Sequence, residues 1–204
     1  MLPGGIFRNV RVERDSPAEK DAGLWKWKDG PFTGTKEWNG LRVLMSLINN
    51  WDLKDVNNSI YFVKEAEGGG VSAPRYIYVV SDLGATFGPV RLDMGRHYNK
   101  GELKAYSRSE FIRKTETDKV SFAAPSAPSL AIMILNPFSY VRRRHMTWIG
   151  HDIPRQDARW MGSILGRLTP VQIRDAFRSG GYSPAEVEGF AVIVERRIAA
   201  LNAL

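Results

Sequence analysis

The chain contains no cysteine, so disulfides, thiolate nucleophiles and cysteine-based zinc sites are excluded. Histidine is scarce. His97, His145 and His151 lack the close spacing of a metal-ligand set. Long apolar runs are also missing. The longest, Leu130 to Leu135, is far too short to span a bilayer. The start lacks a basic segment leading into an apolar core, so no signal peptide is expected. Together with the missing cysteines, this favours a cytoplasmic location. Met1 to Asp29 does not read like the natural start of a domain, and a longer parent chain is an open expectation.

With 204 residues, the chain is long enough to bury a core without covalent staples. Its composition is that of an ordinary globular domain with a short extension. The formal net charge of +7 favours polyanionic partners. That charge is spread along the chain. Its densest run, Arg142, Arg143, Arg144 and His145, reads first as a solvated face. No nucleic-acid recognition motif accompanies it, so nucleic acid is not the expected partner.

Trp25 and Trp27 alternate with Lys26 and Lys28, which suits a short extended segment ended by Gly30-Pro31. From Lys36 to Asn50 the period becomes helical, with Trp38, Leu41, Met45 and Ile48 on one face and Leu44 beside them. Ser59 to Val63 and Tyr76 to Val80 are rich in β-branched and aromatic residues, and read as a hairpin. Gly68, Gly69, Gly70 and Pro74 make its connection long. Gly84 to Pro128 is polar and irregular, with a short helix expected around Ser109 to Arg113. The C-terminal part is helical. One helix spans about Arg155 to Arg167, with Ala158, Met161, Leu165 and Leu168 inward. Thr169-Pro170-Val171-Gln172 and Ser183-Pro184-Ala185-Glu186 each combine a capping residue with proline at the first helical position. Gly180-Gly181 separates the two helices they open. Trp148, Trp160 and Phe177 are expected in a core or interface.

The chemistry-bearing stretch is Asn50-Trp51-Asp52-Leu53-Lys54-Asp55-Val56-Asn57-Asn58. Asp52, Lys54 and Asn57 stand at relative positions 0, +2 and +5, between a helix and a strand. The second strand then runs directly into Ser81-Asp82-Leu83-Gly84. In order and context this resembles the C-terminal lobe of the protein-kinase superfamily, with its catalytic loop and its Asp-Phe-Gly metal motif, here with Leu83 for Phe. The resemblance implies an α+β fold, mainly α, with a catalytic-loop β-hairpin and a C-terminal helical bundle. It also implies transfer of the ATP γ-phosphoryl to an unknown hydroxyl acceptor with Mg²⁺. Asp52 would be the catalytic base and Lys54 a phosphate contact. Asn57 and Asp82 would be the metal ligands, and Gly84 would let the backbone leave the metal motif.

The implied organisation is an extension at 1–35, then a lobe at 36–204. That lobe divides into a catalytic loop (50–58), a hairpin (59–81), a metal and activation-like segment (82–128) and helices (129–204). Trp51 and Asn50 replace the family's usual arginine and histidine, and Met1 to Thr35 is too short for an ATP-clamping N-lobe. That lobe would come from a longer parent or a partner chain. Two other functions remain open: a catalytically inactive kinase-like binding module, and a basic helical domain that binds polyanions.

Overall fold

The computed structural model describes residues 19–63, 75–81, 83–88, 101–123, 133–134 and 137–204. The Gly68 to Pro74 connection, Asp82 and the Leu130 to Ile132 part of the apolar run lie outside these residues, as do the side chains of Arg142 and Arg143. The fold is α+β. A three-stranded antiparallel sheet is ordered β1 (Glu19–Gly23), β2 (Asn58–Val63), β3 (Arg75–Val80). The expected hairpin is present, with Ser59 opposite Val79 and Tyr61 opposite Ile77. Its aromatic and β-branched residues suit a pleated surface.

β1 is an addition that the sequence did not suggest. Glu-Lys-Asp-Ala-Gly has little strand preference, and this strand forms by pairing with the edge that β2 presents. Its charges also blunt the new sheet edge against further pairing. The Trp25–Trp27 segment that follows is not itself a strand. Both indoles are nonetheless buried, in a cluster with Met45, Leu53 and Ile149 against the Ile60, Tyr78 and Val80 face of the sheet. Trp25 Nε1 donates to the Val79 carbonyl, and Trp38 Nε1 donates to the Trp27 carbonyl. Residues 19–35 thus pack into the same body as the hairpin.

Helix α1 (Lys36–Leu47) starts at Thr35, whose hydroxyl accepts the Trp38 amide. It ends three residues earlier than its periodicity suggests. Asn49 takes a left-handed conformation (φ 56°) and turns the chain, a position that asparagine tolerates well. Burial extends beyond the expected stripe, because α1 lies between two cores. Met45 faces the tryptophan cluster. Val43 and Leu47 face a larger cluster built by α2 (Leu103–Arg108), α4 (Arg155–Leu165), α5 (Pro170–Ser179) and α6 (Pro184–Asn202). Helix α3 (Pro137–Arg144) precedes α4.

Both expected capping boxes form, Thr169 with Gln172 and Ser183 with Glu186. Gly181 ends the intervening helix at φ 80°. Gly162 lets α4 approach α6 closely, since a β-carbon there would lie 2.8 Å from Leu201 Cβ. Leu168 corrects the inward assignment. It falls beyond the last turn of α4 and is 44% exposed.

A second correction concerns 101–123. The helix expected around Ser109 to Arg113 sits earlier, at Leu103–Arg108. The Ser109 hydroxyl and amide both turn back to the Tyr106 carbonyl and stop it. The chain then forms β4 (Ile112–Thr115) and β5 (Lys119–Phe122), joined to β6 (Ile153–Pro154) in a second antiparallel sheet. Val120 and Phe122 are the buried residues of β5.

Two arginines are buried without a contacting carboxylate among the described residues. Arg42 donates to the carbonyls of Trp148, Ile149 and His151 and to Asn39, and stacks 4.4 Å from the Trp38 ring centre. Desolvation lowers its pKa to about 10, partly offset by Asp152, so it stays charged at neutral pH. Arg197 ties α6 to the carbonyls of Leu47 and Ser109.

Tyr106 lies beneath Arg197 and donates to the Leu47 carbonyl at 2.7 Å. Burial pushes its hydroxyl up to about 12, opposed by Arg197. A raised folded-state value means that the unfolded chain loses this proton first. Tyr106 therefore supports the fold fully below pH 10 and loses that support as pH rises towards 12. Two units correspond to about 2–3 kcal/mol. Urea midpoints of the wild type should fall across this window, and the Tyr106→Phe variant should show a shallower fall. Parallel curves would contradict the assignment.

Candidate functional site around the loop at Asp52

Within the loop, residues 51–54 alternate inward and outward. Trp51 and Leu53 are buried, 6% and 4% exposed, and anchor it to the core. An extended chain places residues two apart on the same side. Asp52 and Lys54 accordingly meet, with Nζ 2.8 Å from Oδ1. Oδ1 is shielded from water and receives no well-aligned hydrogen bond, so the ammonium serves as counter-ion rather than as a directed donor. A one-turn 3-10 helix, Asp55–Asn57, closes on the Lys54 carbonyl. It folds Asn57 back so that Nδ2 donates to the Asp52 carbonyl at 2.9 Å. That bond occupies the amide nitrogen and leaves the Asn57 side-chain oxygen as its acceptor atom.

Four asparagines frame the loop, and sequence reasoning assigned a role only to Asn57. Asn50, fully buried, accepts the Asp52 amide on its side-chain oxygen at 2.9 Å. Asn58, also fully buried, donates to the Trp25 carbonyl. Asn49 donates to the Gly88 carbonyl. Asp55 accepts the Trp27 amide at 3.0 Å. The doublets Asn49-Asn50 and Asn57-Asn58 on either side of the acidic loop were the visible signal. Short amide side chains are suited to holding a tight loop through its own backbone.

The segment after the hairpin returns to this loop. The Ser81 amide donates to the Asn57 carbonyl at 2.7 Å, and the Trp51 amide to the Ala85 carbonyl at 3.1 Å. The Phe87 amide donates to the Ile48 carbonyl, and Phe87 itself (φ 56°) packs edge-on against Phe177 and Phe190. Gly84 lies with Leu83 in an exposed turn. Asp82 lies outside the described residues, while its flanks at Ser81 and Ala85 are both bonded to the loop.

Asp52, Lys54 and Asn57 are therefore brought together, and the backbone on both sides of Asp82 joins them. Among the described residues, no three His, Cys, Asp or Glu side chains converge as a metal cluster. No helix of the described residues is long and apolar enough to cross a membrane. Searches of protein-family models, of curated proteins and of solved structures find no match for this chain.

Proposed function

We propose that this chain is a kinase-like phosphotransferase, or the C-terminal part of one, that moves the ATP γ-phosphoryl to a hydroxyl acceptor. The observation that carries the reading is the closed geometry of Asp52, Lys54 and Asn57. A carboxylate, an ammonium and an oriented amide share one rigid loop, and the chain flanking Asp82 is stitched to that loop.

Phosphoryl transfer demands positioning and charge neutralisation more than covalent chemistry. Asp52 would orient the acceptor hydroxyl and take its proton as the oxygen bonds to the γ-phosphorus and the bond to ADP breaks. Lys54, already beside Asp52, would contact the phosphoryl oxygens. Mg²⁺ would neutralise phosphate charge. Asn57 and Asp82 are the residues that would hold it. The donors would all be oxygen, which suits that ion. Anchoring by Trp51, Leu53 and the asparagines keeps this group in one arrangement, as catalysis by positioning requires.

Titration calorimetry with Mg-ATP tests the reading. Saturable heat is expected, together with a raised melting temperature. Asn57→Ala should weaken binding about tenfold, the typical cost of losing one ligand-orienting contact. Absence of both heat and thermal shift would remove the nucleotide from the proposal. It would favour a kinase-like module that binds a partner without chemistry.

A further inference from the structure

A cleft of about 440 Å³ lies against the outer side of the Asp52 loop, between the Trp27 segment and the 3-10 turn Thr147–Gly150. Its size is that of a small-molecule site. The floor is apolar, made by Trp27, Leu53, Met146 and Ile149. Val56 forms its lip and is 68% exposed.

The rim carries ammonium groups. Lys28 is held over the Trp148 ring, 5.3 Å from its centre, and Lys26 has no ion pair among the described residues. Lys54 lines the same cleft and touches Asp52. Two acids are also present. Asp29 and Asp55 both keep their negative charge on the rim, and one oxygen of Asp55 accepts the Trp27 amide. Trp27 is only 2% exposed, yet its indole N–H has no acceptor among the described residues.

The geometry points to this cleft as the subsite for the acceptor: a small anionic compound with an aromatic or apolar body and a hydroxyl group. The apolar floor takes the body. Lys26 and Lys28 take the anionic group. Lys54, shared by cleft and loop, sets the hydroxyl on the side of Asp52. The acceptor role rests on the phosphotransfer reading, whereas the binding itself does not.

Calorimetry on the full chain without ATP or Mg²⁺ separates the two. The probes are phenyl phosphate, inorganic phosphate, phenol and a short acidic peptide. Phenyl phosphate should bind at least about tenfold more tightly than phosphate or phenol, since both halves of the cleft are then used. Lys26→Glu and Lys28→Glu, at exposed positions, should each weaken it about tenfold with unchanged melting temperature. Equal binding of phosphate alone, equal binding of phenol alone, tighter binding of the peptide, or indifference to both lysine variants would each overturn the subsite. Phenyl phosphate binding in a chain that transfers no phosphoryl group would instead retire the reaction and keep the cleft. Transfer without phenyl phosphate binding would do the reverse.

Discussion

With the ATP-clamping lobe present, replacing Asp52 by asparagine should lower ATP-dependent phosphoryl transfer about 10²- to 10⁴-fold, the usual contribution of a positioned general base. The substitution keeps the shape of the side chain and removes only its charge and basicity. Its structural cost should be modest. Lys54 loses its counter-ion but is 30% exposed at the side chain, so water can solvate it. Asp52 is 14% exposed at the side chain, and a half-buried pair of this kind contributes about 1–2 kcal/mol. The Asp52 amide and carbonyl, which hold the loop to Asn50 and Asn57, are untouched. Transfer of labelled γ-phosphate and thermal melting should be measured on the same preparation. Undiminished transfer would exclude Asp52 as the base. Lost transfer with a collapsed melting temperature would instead make Asp52 a folding residue. The same assay with Lys54→Met separates loss of the phosphate contact from loss of the base.

Arg197→Met should be the most damaging single change to the fold, costing about 3–4 kcal/mol through several charged hydrogen bonds lost at once. Arg197 is 3% exposed and reaches across the core from α6. Nη1 donates to the Leu47 carbonyl at 2.8 Å, and Nη2 donates to the Ser109 carbonyl at 3.1 Å and to its hydroxyl at 2.7 Å. The guanidinium also stacks 4.1 Å above the Tyr106 ring centre. These acceptors end α1 and α2, where helices leave carbonyls without internal partners. Methionine fills a similar volume with no donor, so the loss reports the missing charged hydrogen bonds, above all at Ser109, rather than a cavity. The Leu47 carbonyl keeps the Tyr106 hydroxyl. Burial lowers the Arg197 pKa, which marks the desolvation already borne in the folded state. Urea denaturation gives the test. A change below about 1 kcal/mol would mean that water replaces the guanidinium, and that the helix ends do not depend on it.

The Asp52–Lys54 contact was legible because its spacing is local. The +2 relation of Asp52 and Lys54 depends only on an extended chain, and their 2.8 Å contact follows from it. The capping boxes at Thr169 and Ser183 are also local, each closing within three residues. The burial of Trp25 and Trp27 could not be read in the same way. It depends on β1 adding to the hairpin and on carbonyl partners supplied by residues far along the chain. The helix misplaced near Ser109 failed for a related reason. The strands at 112–122 are too short for their alternation to stand out, and β5 is secured by β6, which comes some thirty residues later.

By itself, the sequence determined the α+β class, the hairpin that follows the Asp52 loop, the C-terminal helices and the approach of Lys54 to Asp52. All of these arise from interactions between residues close in the chain. Tertiary structure alone decided that residues 19–35 join this body, that α1 is buried between two cores, and that buried arginines close the ends of neighbouring helices. It also placed an apolar-floored cleft with lysines on its rim beside the loop. Those features require groups distant in sequence to exclude water together, and no local pattern encodes that partnership.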